Sequence, residues 1–351
     1  MSDACVKVGV RIRPLNSKER HQNSVLTDFD KESVLFKGQS FTLDYVFGPE
    51  LDQVQMYQST AAPMLKSFLE GYNVTIMAYG QTGSGKTHTM GTADTRIGGE
   101  ADEETQGLLP RFVSDLFENL KDLADHEHVQ SKIKVSFLEI YGEDVHDLIT
   151  ESTGRIERPS LPVRENDQGQ VFVQGLQEQD VTTADQALEV LYEGTHHRTT
   201  AATNMNAGSS RSHAVFTITL DQKVVSPDGD DDGGREMTSK LTFVDLAGSE
   251  RLKRTGAEGQ RMKEGIQINS GLFNLGQVIN GLADDKRLKN GTKAVHIPYR
   301  NSKLTHLLKD ALGGNSKTLF LACVSPAEIN ESETYSTLMY ARQARNIQNK
   351  P

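Results

Sequence analysis

One octapeptide constrains this chain more than anything else in it. Gly80-Gln81-Thr82-Gly83-Ser84-Gly85-Lys86-Thr87 directly follows the short apolar run Val74-Thr75-Ile76-Met77-Ala78-Tyr79. The octapeptide fits G-x-x-x-x-G-K-[ST], a loop whose glycines let backbone N–H groups wrap a phosphate. Such a loop needs a buried strand to deliver it and a helix to leave it, and the apolar run supplies the strand. On this reading Gln81, Thr82, Gly83, Ser84 and Gly85 line the phosphates, and Lys86 reaches the β- and γ-phosphates. The Thr87 hydroxyl ligates Mg²⁺, and a helix starting at Lys86 adds its positive dipole end. The expected ligand is a nucleoside triphosphate with its magnesium ion.

A second strand, Leu241-Thr242-Phe243, runs into Val244-Asp245-Leu246-Ala247-Gly248. A carboxylate at the end of a strand parallel to the loop strand holds magnesium, usually through water, so Asp245 joins Thr87 as a metal residue. Gly248 can then offer its N–H to the γ-phosphate and report its presence. Guanine-specific loops of this kind usually carry an N-K-x-D element. None is present, since Asn349-Lys350 stands too near the end to complete one. Adenine is the preferred base.

Around these motifs, period-two alternation marks residues 6–13 as a strand, and short apolar runs mark 74–79, 133–141, 214–223, 240–245 and 318–324. Helical periodicity fits 54–68, 108–123, 184–198, 272–282, 303–312 and 333–347. Interleaved strands and helices predict an α/β sandwich around one central sheet. No internal repeat and no Pro- or Ser-rich linker divides it, so one domain is expected. Residues 92–106, 150–158 and 226–234 read as loops, the last as a solvated hairpin tip with an acidic run.

Composition agrees. The 36% hydrophobic residues and the 30 glycines in 351 positions together make about 45% of the chain, the globular range, which excludes disorder. Two cysteines, Cys5 and Cys323, cannot build a disulfide framework and point to a reducing compartment. The N-terminus lacks the apolar stretch of a secretory signal, and no apolar run is long enough to span a membrane. A soluble intracellular protein is expected. With 38 basic against 48 acidic residues, a net −10, a general nucleic-acid binder is disfavoured.

Further along, Asn206-Ala207-Gly208-Ser209-Ser210-Arg211-Ser212-His213 and Asp245-Leu246-Ala247-Gly248-Ser249-Glu250 together resemble the switch I and switch II pair of kinesin motor domains. Arg11-Ile12-Arg13-Pro14 is similar to the adenine-contacting element of that family, and Tyr299-Arg300-Asn301-Ser302-Lys303-Leu304-Thr305 to its principal microtubule-facing loop. The motifs fall in family order from about Val6 to Pro351. The wording of residues 252–259 leans towards the chromokinesin-like branch. The resemblance implies a kinesin-type P-loop NTPase fold, with a central mixed, mostly parallel β-sheet and helices on both faces.

It also implies roles. Arg11, Arg13 and Pro14, with His88 just past the loop, would contact adenine, and Arg11, Pro14 and His88 would sandwich it, since flat cationic and ring faces stack on a purine. Ser210 would approach Mg²⁺ and the attacking water, and Asn206 would contact phosphate. Arg211 and Glu250 would form a salt bridge that closes over the γ-phosphate, a latch that exists only when both loops are in place. Glu250 would also take the proton from the attacking water, through a second water. The implied activity is a microtubule-stimulated, Mg-ATP-hydrolysing motor, plus-end directed, with residues 1–344 as the motor domain and 345–351 as the start of the neck linker.

An acidic chain needs a local basic face to bind an acidic filament. Residues 281–310 carry seven bases against three acids, a surplus of four. Lys253, Arg254, Arg300 and Lys303 are the expected microtubule contacts, with Arg261, Lys263, Lys286, Arg287, Lys289 and Lys293 nearby; charge segregation of this kind steers a protein toward an acidic lattice. Gly276 inside the 272–282 helix, with Gly271 and Gly281 beside it, marks that element as marginal until it docks. No heptad pattern is read in the sequence up to residue 351. The chain is therefore expected to behave as a monomeric head of a dimer, in the cytoplasm on the cytoskeleton, with spindle or nucleus and only indirect nucleic-acid association if chromokinesin-like.

Overall fold

The computed structural model describes residues 4–19, 21, 24–92, 105–127, 129–150, 159–205, 209–224, 236–250, 260–283 and 296–351. Strands β1 (Ala4–Cys5) and β2 (Lys7–Ile12) come first, followed by a small antiparallel sheet of β3 (Leu26–Phe29), β4 (Ser33–Phe36) and β5 (Gln39–Thr42). Strand β6 (Tyr45–Phe47), helices α1 (Gln53–Ser59) and α2 (Ala61–Leu69), strand β7 (Asn73–Tyr79) and helix α3 (Lys86–Met90) lead through the phosphate-loop motif. Helix α4 (Leu108–Glu127) precedes β8 (Val129–Tyr141) and β9 (Asp144–Asp147), and the hairpin β10 (Val163–Glu165) and β11 (Val171–Val173) precedes β12 (Gln179–Val181). Helix α5 (Ala184–Met205), β13 (His213–Val224), β14 (Glu236–Asp245) and α6 (Gln260–Ala283) follow. The chain ends with α7 (Lys303–Leu307), β15 (Ser316–Val324), α8 (Glu331–Ala344) and β16 (Gln348–Asn349).

Among the described residues, nine strands form the central sheet, in the order β12-β8-β13-β14-β7-β15-β2-β6 with β9 added beside β8. From β14 to β6 every pairing is parallel, and from β12 to β14 every pairing is antiparallel. The parallel half reads as near-continuous apolar sequence because helices cover both of its faces. Alternation shows in which core each side chain joins. Met77 and Tyr79 of β7 pack with Leu275 and Ile279 of α6 and Leu338 of α8, whereas Ile76 and Ala78 pack with Phe112 of α4 and Leu65 of α2. The expected sandwich with helices on both faces is the observed one.

Several boundaries differ from the sequence reading. Residues 54–68 form two helices, not one. The Thr60 hydroxyl donates back to the Met56 carbonyl at 2.6 Å, and Pro63 has no N–H to continue the ladder, so the chain breaks at Thr60. Helix α7 stops at Leu307, where Lys309 N–H bonds the His306 carbonyl at 3.3 Å in a tighter turn. Helix α8 stops at Ala344 and releases Ile347, which is fully buried. The loops expected at 92–106, 150–158 and 226–234 lie almost wholly outside the described residues.

Candidate active site

The phosphate-loop motif leaves the end of β7 through Gly80, whose φ of 149° and tight seat admit no side chain. A Cβ there would lie 2.2 Å from the Cys323 carbonyl oxygen. Gly83 (φ 76°) and Gly85 (φ 99°) are also in the left-handed region, and a Cβ on either would meet nothing within 4 Å, which leaves an open cradle. Helix α3 begins at Lys86 as expected, but it is only 5 residues long. Inside the cradle Lys86 is buried, and its ammonium donates to the carbonyls of Gly80 (2.8 Å) and Gln81 (3.0 Å). Burial lowers its pKa, and Asp245 is the first of the charges that oppose this. The Ser84 hydroxyl is buried and has no hydrogen-bond partner among the described residues.

Asp245 ends β14 in parallel register with Ala78 of β7, which puts its carboxylate beside the loop. One of its oxygens accepts from the hydroxyls of Thr87 (2.9 Å) and Thr92 (3.0 Å). The other, Oδ1, is buried and has no hydrogen-bond partner among the described residues. Gly248 N–H donates to the Ser210 carbonyl at 2.8 Å, and Ser249 N–H to the Gly80 carbonyl at 3.2 Å. These two bonds bring the segment after Asp245 against both the Ser209–Arg211 turn and the loop.

Glu250 is brought to the site but not onto Arg211. Its carboxylate accepts from the backbone N–H of Thr82 at 2.8 Å and from the Thr82 hydroxyl. Among the described residues Glu250 is held by Thr82 where Arg211 was expected, because the loop offers two donors to one carboxylate. Asn206 lies outside the described residues.

At the base-binding end the structure links two of the four expected residues, Arg11 and His88, through Gln53. The Arg11 guanidinium donates to Gln53 Oε1 (2.6 Å) and Thr89 Oγ1 (2.9 Å), and Gln53 Nε2 donates to the His88 carbonyl at 2.6 Å. Burial lowers the pKa of Arg11. His88 and Pro14 are exposed. Arg13 departs from expectation: its fork is taken by Glu19, at 2.6 and 2.7 Å, since a bidentate carboxylate satisfies the guanidinium in plane.

Three residues that the sequence reading gave no role support the site from behind. Arg198 of α5 is buried and donates to the Ser212 hydroxyl (3.0 Å) and carbonyl (2.7 Å), with Glu139 at 3.4 Å. His213 Nδ1 accepts from Ala247 N–H at 2.9 Å, so the buried imidazole ties one switch-like segment to the other. Gln53 links Arg11 to His88. His213 belonged to a quoted motif; nothing in the sequence singled out Arg198 or Gln53.

The expected track-facing bases are engaged within the chain. Arg300, 76% exposed, meets Glu165 at 2.6 Å, and Lys309 meets the same carboxylate at 2.6 Å. The Lys303 ammonium donates to the Leu161 carbonyl at 3.4 Å, and its backbone N–H to Glu143 at 2.9 Å. Lys309 first and then Arg300 hold Glu165 well below the usual carboxylate range, at about 2. Lys253, Arg254, Lys286, Arg287, Lys289 and Lys293 lie outside the described residues, as do the side chains of Arg261 and Lys263.

A glycine cradle around a buried lysine, backed by a carboxylate on the parallel neighbouring strand, places the chain among P-loop nucleotide-binding proteins. The family model of the kinesin motor domain matches residues 11–347. The chain belongs to the kinesin motor domain family. It is 46% identical over 350 residues to the chromosome-associated kinesin KIF4 of Xenopus laevis, covering 99% of this chain and 27% of that protein. It is 43% identical over 377 residues to the kinesin-like protein KIN-4A of Arabidopsis thaliana, covering 99% of this chain and 35% of that one. The chain thus spans about a third of the curated relatives it matches, or less. Among solved structures, a fast kinesin superposes with a TM-score of 0.86 at 38% identity, covering 99% of this chain and 92% of that one. A KIF14 dimer with both heads bound and AMP-PNP, in complex with a microtubule, has the same score and identity, with 99% and 95% covered.

Proposed function

We propose that this chain is a microtubule-stimulated ATPase motor head. The observation that carries the reading is the convergence at the loop: buried Lys86 between two carbonyls, and Asp245 with one oxygen on Thr87 and one without a partner among the described residues. A buried, unpartnered carboxylate oxygen beside a threonine hydroxyl suits a hard divalent cation, directly or through water. Thr87, Asp245 and Ser210 would hold Mg²⁺, which when bound neutralises charge on the phosphates.

The chain's own residues account for the rest. Lys86 holds the β- and γ-phosphates, and Gln81, Thr82, Gly83, Ser84 and Gly85 cradle them. Arg11, Pro14 and His88 pack the adenine, with Gln53 fixing Arg11 and His88 relative to each other. Asn206 contacts phosphate, and Gly248 N–H turns from the Ser210 carbonyl to the γ-phosphate. Glu250 leaves Thr82 for Arg211 and there accepts the water proton through a second water.

The motor domain spans 1–344 and the neck linker begins at 345, with movement toward the plus end. Arg300, Lys303, Lys253 and Arg254 face the microtubule. The identity to chromosome-associated kinesins favours a place on the spindle. ATP turnover measured with and without polymerised tubulin tests the whole reading. A rate indifferent to tubulin leaves a P-loop ATPase of another kind, and no turnover at all removes the enzyme.

A further inference from the structure

Gly276 sits in the interior of α6, where glycine weakens a helix. Its reason is a close approach. A Cβ at Gly276 would lie 2.0 Å from the hydroxyl oxygen of Tyr340 and 2.8 Å from its Cζ. The Tyr340 ring, carried by α8, is stacked on its other side against Tyr79, with centroids 4.9 Å apart and planes 12° from parallel. Tyr79 is buried and is the last residue of β7. The next residue, Gly80, gives its carbonyl to both Lys86 Nζ and Ser249 N–H. Burial and then Tyr340 raise the pKa of the Tyr79 hydroxyl, and Ser249 opposes them as its other polar partner.

One ring therefore touches the strand that delivers the phosphate loop, the helix that follows the second switch-like segment, and the helix that ends just before Ile347. Beyond α8, Ile347 is buried and accepts from Val6 N–H at 2.9 Å, and β16 pairs with β1. Aromatic stacking fixes the ring's plane and offset, so a shift of Gly80 or of α6 must be met by a shift of α8. We infer that Tyr340 is a positioning residue that makes docking of residues 347–349 follow the state of the phosphate loop. This deepens the motor reading and rests on it.

The test uses a spin label at Lys350→Cys in a Cys5→Ser background, since Cys5 is exposed and Cys323 is buried. The ratio of immobile to mobile label is read on polymerised tubulin with ADP and with a non-hydrolysable ATP analogue, and each variant's melting temperature is measured. Tyr340→Phe keeps the stack and should respond like the unsubstituted labelled protein. Tyr340→Leu loses the stack, and Gly276→Ala drives the ring off it. Each should cut the nucleotide-dependent change in the ratio about two- to thirtyfold, the range found for residues that couple sites without touching ligand. Gly276→Ala with Tyr340→Phe removes the 2.0 Å conflict and should recover part of the response. Folded Tyr340→Leu and Gly276→Ala proteins with an undiminished response overturn the proposal. So does failure of all these variants except Tyr340→Phe to fold, which assigns the ring to packing alone. A reference protein whose label ignores nucleotide instead overturns the motor reading, and the coupling with it.

Discussion

The carboxylate of Glu250 rests on Thr82, one oxygen on its backbone N–H at 2.8 Å and the other on its hydroxyl. Gly248 lies directly beneath, where a Cβ would come within 2.3 Å of both Glu250 Oε2 and Thr82 Oγ1. The contact competes with the Arg211 pairing proposed for hydrolysis. Removing the hydroxyl with Thr82→Ala leaves one hydrogen bond instead of two, and charged hydrogen bonds are the stronger kind. Single-turnover hydrolysis at saturating ATP, without tubulin, should then become faster. A slower rate would place Thr82 in the productive state instead.

Once Glu250 has left Thr82, it and Arg211 are expected to act as one unit. Glu250→Ala should still bind ATP and slow single-turnover hydrolysis about 10²- to 10⁴-fold, the usual worth of a positioned proton acceptor. Arg211→Ala should produce a similar defect, and the double variant little more than either. Losses that multiply in the double variant would show two independent roles.

Lys86 offers a cleaner measurement because its surroundings are fixed. Its ammonium is buried and donates to two backbone carbonyls, those of Gly80 and Gln81. Replacing it by alanine should weaken Mg-ATP binding at least about thirtyfold, since losing a buried charged contact costs about 2 kcal/mol or more. Calorimetric titration of the folded variant decides this, and unchanged affinity would remove the loop from the nucleotide site.

The sequence announced these residues because their chemistry requires fixed spacing: glycines for left-handed backbone, a lysine and a threonine at the helix start, an aspartate at a strand end. It announced β7 and β15 because strands covered on both faces become unbroken apolar runs. It could not announce Arg13 turning to Glu19, since a single carboxylate six residues away carries no periodic signal. Nor could it show that Glu165 neutralises Arg300 and Lys309, which are 135 and 144 residues distant. The short β10–β11 hairpin that brings Glu165 there is only 3 residues per strand, below the length at which alternation can be read. Gly276 was legible as an oddity, but its reason lies in Tyr340 on another helix.

His213 links acid sensitivity to the switch-like segments. Burial first, then the charges of Arg198 and Lys86, push its pKa down to about 3 from 6.5. Between these values the unfolded chain binds a proton there that the folded chain does not. The stability this neutral imidazole supports is complete above about 6.5 and is lost as pH falls toward about 3. Its share of the slope is about 1.4 kcal/mol per pH unit. His213→Asn keeps an acceptor for Ala247 N–H but takes up no proton. Its melting temperature should be lower at pH 7.5 yet fall less between pH 6 and 4.5. Parallel curves for the two proteins would contradict the assignment.

Glu165 sets the charge of the face proposed to meet the microtubule. It is held at about 2 and stays ionised in any ordinary buffer, so on the proposed reading Arg300 and Lys309 would meet the lattice with one of their two charges already offset. Glu165→Gln removes one negative charge, keeps the side-chain length and frees the Arg300 guanidinium, which is already largely exposed. Binding to polymerised tubulin should tighten at low salt, because an acidic lattice then meets one more uncompensated cation. The gain should shrink as salt rises, since screening acts over roughly 10 Å at 0.1 M. Arg300→Ala in the same background should reverse it. Co-sedimentation across a salt series reads both effects. If Glu165→Gln binds tubulin no more tightly than the unsubstituted chain at low salt, Arg300 and Lys309 are structural partners of the β10–β11 hairpin, and the track contact lies elsewhere on the surface.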